Sequence, residues 1–209
     1  MNKILNIIKY GIRLLGHILS YSHVDKLYNG ILSLRNVVYT GYMERKFALF
    51  GNSFFYWRTH TLTGMQYMYI GNGNIFEKGL QLTARKAGNT SPIVRIGNNC
   101  LFRAYAHITA VNSIEIGDNL LTGTNVLITD NLHGNTDCDS LHIAPRERPL
   151  YTKGGVRIGN NVWLGNNACI MPGVTIGDGA VIGANSIVTH NIPAYSIAAG
   201  VPAKIIKQQ

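Results

Sequence analysis

The chain has 209 residues and a formal net charge of +9, with 19 Lys and Arg residues against 10 Asp and Glu. This length allows one domain with an appendage, and the charge indicates an acidic partner: a nucleic acid, an anionic membrane surface or a phosphate-bearing cofactor. Nucleic acid is the weakest of the three, because the basic residues are scattered and form no block interleaved with aromatic residues.

Three cysteines, an odd number without C-x-x-C spacing, argue against a disulfide framework or a cysteine-based zinc site. This cysteine usage fits a reducing cytoplasm. No apolar run reaches the roughly 18 uncharged residues that a membrane span needs. The N-terminus also lacks the short apolar region and small-residue cleavage site of a signal peptide. We therefore expect a cytoplasmic protein.

Residues 1–22 are predicted to form an amphipathic helix. The cations Lys3, Lys9 and Arg13 lie off an apolar stripe. The stripe consists of Ile4, Ile8, Ile12, Leu15 and Leu19. Such a helix suits peripheral contact with the inner face of a membrane, or it covers the open edge of a sheet or packs in an oligomer. We favour the second interpretation.

Residues 30–49 are predicted to form a strand-rich lead-in with a charged turn at 44–46. The N-terminal region is therefore assigned to residues 1–46. Weak six-residue spacing of apolar residues follows it. These apolar residues are Phe50, Tyr56 and Leu62.

The strongest pattern in the chain is a six-residue period between residues 156 and 190. Branched aliphatic residues recur at Ile158, Leu164, Ile170, Ile176, Ile182 and Val188. A helix has a period of 3.6 and a strand or hairpin a period of 2, so this period indicates a short strand followed by a corner. Three such strands close a triangular coil of about 18 residues. Coils must stack, because one coil cannot bury a core alone.

Corners of sequence Ile-Gly-Asn or Ile-Gly-Asp begin at residues 70, 96, 116, 158 and 176. Two of the intervals between them are much longer than one coil, which predicts loops at 83–94 and 134–157. Long excursions from a rigid scaffold are where function concentrates. The repeat region is assigned to residues 47–191, and a tail whose Pro and Gly residues end the repeat to 192–209.

His133 lies where the chain leaves the repeat for the longer loop. A single histidine in a loop is ordinarily a surface residue. A loop exit beside a triangular edge is nevertheless a natural cleft wall, and imidazole suits proton transfer near neutral pH. His133 is therefore the candidate general base. The group that orients it is left open between Asp130, Asp137 and a backbone carbonyl.

Three motifs, ITDNLHG, RPLYTKGGVRIGNNVWLG and AAGVPAKIIK, together resemble those of the hexapeptide-repeat O-acetyltransferases that modify sugars. The resemblance covers about residues 94–207. It includes galactoside and maltose acetyltransferases and, more closely, enzymes acting on capsular, colanic or lipopolysaccharide sugars. It implies an all-β fold, a left-handed parallel β-helix, with acetyl-CoA as donor, no metal, and a homotrimer with sites between subunits. In that family the residue at the position of His133 deprotonates the acceptor hydroxyl, which attacks the thioester directly.

The same resemblance implies a cofactor site. Trp163 would line its acetyl end, and a backbone N–H of the Gly165–Asn166 turn is a candidate oxyanion donor. The groove for pantetheine and for the CoA phosphates is assigned to Ala184, Ser186, Thr189, Lys204 and Lys207. Each assignment has a plainer alternative. Trp163 is then an aromatic residue packed at a corner, the groove residues are the small residues that any corner needs, and Lys204 and Lys207 belong to a solvated basic tail.

Acceptor binding is assigned by resemblance to Arg103, His107 and Asn112, one coil before the general base, with Tyr151 and Lys153 closing the pocket. The galactoside enzymes carry Asn at the position of Arg103 and Asp one residue before Asn112. These departures argue against a galactoside as substrate. Arg103 instead suits a phosphate or carboxylate on the acceptor.

Other functions stay open beside a saccharide O-acetyltransferase. The acceptor is alternatively an antibiotic or serine. Zinc carbonic anhydrases use the same coil with three histidines across a subunit interface, and His107, His133 and His142 supply nitrogen atoms of the required kind. A passive scaffold or trimerisation module is the non-enzymatic alternative. The motifs favour the acyltransferase.

Overall fold

The computed structural model describes the backbone of residues 2–19, 23–57 and 61–209, and the side chains of 5–17, 26–57 and 61–209. The chain forms two compact units, residues 1–38 and residues 39–209.

The first unit is helical. Helix α1 spans Asn2–Leu19, as the amphipathic pattern of residues 1–22 predicts, while residues 1 and 20–22 lie outside the described part of the chain. Every side chain from residue 5 to residue 17 is exposed.

The predicted strand-rich lead-in at 30–49 is wrong, because helix α2 spans His23–Glu44. The β-branched and aromatic residues of this segment favour strands only weakly, and its buried residues Asn36, Thr40 and Met43 recur at helical spacing. In the second unit, Met43 and Phe47 are buried. The hydroxyl of Thr40 there accepts a hydrogen bond from the Phe55 N–H at 3.0 Å.

Among the described residues, the second unit contains three large sheets built from short strands, and a two-stranded sheet beside them. The first sheet has, in spatial order, β1 (Leu49–Phe50), β4 (Met68–Ile70), β7 (Ile93–Ile96), β10 (Ser113–Ile116), β15 (Val156–Ile158) and β18 (Thr175–Ile176). The second has β2 (Phe54–Phe55), β5 (Ile75–Phe76), β8 (Leu101–Phe102), β11 (Leu121–Thr122), β16 (Trp163–Leu164), β19 (Val181–Ile182), β21 (Ser196–Gly200) and β22 (Ala203–Gln208). The third has β3 (Thr61–Thr63), β6 (Gln81–Ala84), β9 (His107–Ala110), β12 (Leu127–Thr129), β17 (Cys169–Ile170) and β20 (Ile187–Val188).

The chain visits the three sheets in turn, and neighbouring strands within each are parallel except for β21 and β22. The polypeptide therefore winds as a three-sided coil. All six residues of the six-residue period are buried, at 3% exposure or less. The period thus predicts the inward-facing rows correctly.

The first coil departs from the regular spacing. Phe55, not the predicted Tyr56, points inward, and Tyr56 is 43% exposed. The Phe55 ring stacks on Phe76 at 4.7 Å between centroids, and Phe76 stacks on Phe102 at 5.0 Å. The five-residue step from Phe50 to Phe55 keeps both residues in register with the next coil.

The corners are stabilised by ladders of side-chain hydrogen bonds. The backbone N–H of Asn98 donates to Asp118 Oδ1 at 2.7 Å, that of Asp118 to Asn160 Oδ1 at 2.8 Å, and that of Asn160 to Asp178 Oδ1 at 2.7 Å. Asn residues such as Asn161 and Asn167 also adopt positive φ at the corners, which Asn tolerates better than most residues.

Three connections differ from a plain coil. Strands β6 and β7 reach into the predicted loop 83–94, so that only residues 85–92 join them. Between β12 and β15 lie an antiparallel hairpin, β13 (Leu132–His133) with β14 (Leu150–Tyr151), and the short helix α3 (Cys138–Leu141). Within the predicted tail at 192–209, β21 continues the second sheet in parallel with β19, and β22 folds back onto it.

Candidate active site

His133 is held by the root of the β13–β14 hairpin. Asp130, fully buried, accepts hydrogen bonds from the N–H groups of Val111 and Asn112, both at 2.8 Å. The Asn131 amide donates to the Thr109 carbonyl at 3.1 Å. These bonds tie the chain to the third sheet just before His133, whose side chain is exposed.

A cavity of about 460 Å3, the histidine groove, lies between the hairpin and the outer face of the third sheet. It brings together His107 and His133, which are 26 positions apart in the chain. Its walls are Thr61, Gln81, Thr83, Arg85, His107, Thr109, Val111, Leu127, Thr129, Asn131, Leu132, His133, Leu150 and Met171. Hydroxyl and amide groups on such a wall suit a substrate with many hydroxyl groups.

His107 lies at the centre of the sheet wall, between Gln81 and Leu127 on the neighbouring strands. Burial lowers the pKa of its imidazole, because a partly desolvated site disfavours the charged form. His107 is therefore suited to hydrogen bonding as a neutral ring.

Neither predicted carboxylate orients His133. Asp130 is occupied at the hairpin root. Asp137 caps α3 by accepting from the Ser140 N–H at 2.8 Å, and that hydrogen bond lowers the pKa of its carboxyl group. Within the described part of the chain no hydrogen bond reaches the imidazole of His133, which is free to meet a substrate.

The predicted acceptor residues divide into three groups. His107 lines the histidine groove. Asn112 and Tyr151 line a second cavity, of about 690 Å3, on the other side of β14. Arg103 and Lys153 line neither cavity. The Arg103 guanidinium instead forms an ion pair with Glu77 at 3.4 Å.

The sequence interpretation missed Arg85 and the threonines of the groove. Arg85 falls in the predicted loop 83–94, which hid that β6 continues to Ala84. A signal was nevertheless present, because the alternation of Gln81, Thr83 and Arg85 with apolar residues is typical of a half-buried strand.

Three of the predicted cofactor residues lie on strands of the second sheet. Trp163 is 52% exposed on its outer face. In register across that face it neighbours Val181, then Ile197, then Lys207, and Lys204 lies on the same final strand. In one chain these residues and the histidine groove occupy different sheets.

The predicted oxyanion turn has one N–H group committed to the fold and one that is not. The Gly165 N–H donates to the Ile182 carbonyl at 2.8 Å, so Gly165 is excluded as a donor. Asn166 Oδ1 accepts from the Thr124 N–H at 2.9 Å. At the same corner of the next coil the residue is Ala184, whose side chain has no atom that could accept a hydrogen bond from the Asn166 N–H. In the described hydrogen-bond network the N–H of Asn166 consequently has no partner.

The remaining two residues lie on the third sheet side. Ser186 is fully buried, and its hydroxyl accepts from the Gly200 N–H at 3.0 Å, so its side chain is occupied by the fold. Thr189 is exposed, with its hydroxyl 2.9 Å from His190 Nδ1.

The structure does not gather the three histidines considered for zinc. His142 lies outside the histidine groove, with Nε2 3.8 Å from Cys138 Sγ. Among the described residues, no group of three or more His, Cys, Asp or Glu side chains is arranged to hold a metal ion.

Comparisons with known proteins agree with this architecture. The family described as bacterial transferase hexapeptide (six repeats) matches residues 155–190, and the hexapeptide repeat of succinyl-transferase matches residues 93–130. The chain is 40% identical over 143 residues to the putative lipopolysaccharide biosynthesis O-acetyl transferase WbbJ of Escherichia coli, covering 66% of this chain and 71% of that protein.

Further relatives match over shorter stretches. Galactoside O-acetyltransferase of Escherichia coli is 41% identical over 117 residues, covering 55% of this chain and 54% of that protein. A crystal structure of a variant of AntD, an N-acyltransferase from Bacillus cereus, in complex with dTDP and coenzyme A, superposes with a TM-score of 0.69 at 22% identity, covering 81% of this chain and 87% of that one. The chain belongs to the hexapeptide-repeat acyltransferases.

Proposed function

We propose that the protein transfers an acetyl group from acetyl-CoA to a hydroxyl group of a saccharide, a surface polysaccharide or its precursor, and that its coil is left-handed. One observation carries the proposal: an exposed imidazole, His133, with no partner in the described network, faces a groove lined with hydroxyl and amide groups. The names of two relatives, WbbJ and galactoside O-acetyltransferase, support O-acetylation.

In the proposed reaction His133 accepts the proton of the sugar hydroxyl, and the oxygen attacks the thioester carbonyl. The tetrahedral intermediate collapses, the C–S bond breaks, and the imidazolium returns the proton to the leaving sulfur. A thioester is already activated, so the protein has only to position two substrates and move one proton. No acyl-enzyme is needed.

The N–H of Asn166 is the proposed oxyanion donor. Asn166 is an exposed corner residue that follows Gly165 in the WLGN turn, and Ala184 leaves its N–H without an internal acceptor. A free N–H on a rigid turn costs no reorganisation when charge develops on the carbonyl oxygen.

We propose that His133 of one copy meets Trp163 and Asn166 of another copy in a homotrimer. An apolar row on the outer face of the second sheet supports this assembly. The row consists of Phe54, Ile75, Leu101, Leu121, Trp163, Val181 and Ile197, paired in register from coil to coil. A continuous exposed apolar surface of this kind is typical of a subunit interface.

We also propose a cytoplasmic enzyme that touches the membrane through α1, in place of the covering or oligomer role that the sequence favoured. Leu5, Ile8, Ile12 and Leu15 of this helix are each more than half exposed, and α1 contains cations but no Asp or Glu. Such a helix binds anionic lipid surfaces. Neither α1 nor α2 is long and apolar enough to cross a bilayer. Ile8→Glu should abolish flotation with phosphatidylglycerol vesicles, whereas unchanged flotation would exclude α1 as the contact.

The proposed reaction is tested by following free thiol with acetyl-CoA and a panel of sugars, lipid-linked oligosaccharides included. We expect sugar-dependent thiol release, and His133→Ala should lower kcat by about 10²–10⁴. His142→Ala, outside the groove, is the matched control and should leave kcat unchanged. Full activity of His133→Ala would contradict the general base.

A small-molecule acceptor is the second candidate. The probable macrolide acetyltransferase of Lysinibacillus sphaericus is 50% identical over 72 residues, which cover 34% of this chain and 40% of that protein. Macrolides, chloramphenicol and serine therefore belong in the same panel. Acetylation of one of these, with none of any sugar, would replace the saccharide proposal.

A further inference from the structure

Among the described residues, the surface on both sides of β14 carries positive charge and no negative charge. Of those residues, Arg85 is the one Lys, Arg, Asp or Glu that lines the histidine groove, and Lys86 is the one that lines the second cavity. The two cavities share Val111 and Leu150, so that they form one continuous surface.

Arg85 is placed by the rigid coil rather than by a loose loop. Its backbone N–H donates to the Ala110 carbonyl at 2.9 Å, directly after the paired residues Ala84 and Ala110 of β6 and β9. Arg85 therefore lies beside Val111 and two strand spacings, roughly 10 Å, from Asn131 at the hairpin root. His133 follows two residues later. The guanidinium consequently borders the same groove as the general base.

Three other arginines on the coil have partners, whereas Arg85 has none among the described residues. Arg103 pairs with Glu77, Arg157 pairs with Glu115 at 3.7 Å, and Arg95 stacks over Tyr69. Arg85 is exposed, and in the described part of the chain no carboxylate lies within 4.0 Å of its guanidinium. An unpaired guanidinium in a substrate groove suits a bidentate oxyanion.

We infer that the acceptor is an anionic saccharide, and that Arg85 binds its phosphate or carboxylate group next to the hydroxyl that His133 deprotonates. This inference rests on the proposed function and deepens it. It also reassigns the role that the sequence suggested for Arg103. The threonine hydroxyl groups of the groove would then form hydrogen bonds with the neutral hydroxyl groups of the sugar ring.

Binding is measured first, without acetyl-CoA, by isothermal titration of hexose 1-phosphates, glucuronic acid and the matching methyl glycosides. The wild-type protein should bind one charged class at least tenfold more tightly than the neutral glycosides, and the class preferred separates phosphate from carboxylate. Arg85→Gln should weaken that charged ligand by about tenfold or more and leave the neutral glycosides within about twofold. Arg95→Gln, an exposed arginine on another sheet, is the control and should change neither.

Turnover with the same ligands separates this inference from the proposed function. Arg85→Gln should raise KM for the charged acceptor and leave kcat nearly unchanged. Added salt should weaken the preference of the wild-type protein for charged acceptors. Equal binding of charged and neutral ligands by the wild type, or loss of the preference in Arg103→Gln instead of Arg85→Gln, would overturn the inference. If charged ligands bind through Arg85 but no thiol is released, the anion site at Arg85 is supported and the proposed acetyl transfer is contradicted.

Discussion

The outer faces of the first and second sheets belong to the same coil and differ in chemistry. On the first, the central row reads Tyr69, Arg95, Glu115, Arg157 and Thr175. On the second, the equivalent row is apolar from Phe54 to Ile197 and includes Trp163, and Lys207 follows on the final strand. The rows behind them are equally buried. The inner rows therefore indicate only that a core exists, whereas the outer rows indicate what covers each face. The charged outer row of the first sheet is suited to water, and we propose that another copy covers the apolar outer row of the second.

The largest effect should come from the inner row of the second sheet. Phe76 is fully buried between Phe55 and Phe102. Phe76→Ala removes the middle of this stack and should lower the free energy of unfolding by about 3–5 kcal/mol. Urea unfolding measures the loss. Thr175→Ala on the outer row of the first sheet is the control, with an expected change within about 0.5 kcal/mol.

A charge on each outer row should separate the two faces. Leu121→Lys places an ammonium group in the centre of the apolar row, where a neighbouring copy would have to bury it, so the assembly should dissociate. Thr175→Lys places the same group on the first sheet and should leave the assembly intact. Analytical ultracentrifugation measures the mass of the assembly formed by each variant. An unchanged mass for Leu121→Lys would exclude this face as the interface.

The smallest effect concerns the third sheet, where His107 is partly buried. Its folded pKa lies below the unfolded value near 6.5, so the unfolded chain takes up the proton first as the pH falls. Stability should therefore decrease as the pH drops through about 6.5, and level off below the folded pKa. His107→Gln should flatten this slope in urea unfolding between pH 8 and pH 5. An identical slope in the variant would show that His107 does not contribute.

The regular part of the coil was predictable because one rule governs it. Every inward position repeats the same packing problem, so the period of six identifies Ile158 to Val188 as core without any structure. The irregular parts obey no such rule. The helix at His23–Glu44 depends on spacing that its strand-prone composition masked, and the shift from Tyr56 to Phe55 depends on register with Phe76.

The candidate site was predictable where a motif carried it and not where the fold assembled it. His133 stands at a break in the repeat, which the sequence displays. Arg85 enters the histidine groove only because β6 and β9 pair beside the hairpin. The Gly165 N–H is bound by the Ile182 carbonyl of the next coil, whereas the Asn166 N–H stays available because Ala184 offers no side-chain acceptor.

The most direct test is whether two inactive variants restore each other. His133→Ala damages only the groove, and Trp163→Ala damages only the second-sheet face. If each site combines His133 of one copy with Trp163 of another, about a quarter of the sites in mixed assemblies of the two variants should have both residues intact. Thiol release should then recover to about a quarter of the wild-type rate. Activity no higher than the average of the two separate variants would place the site within one chain and contradict the proposal.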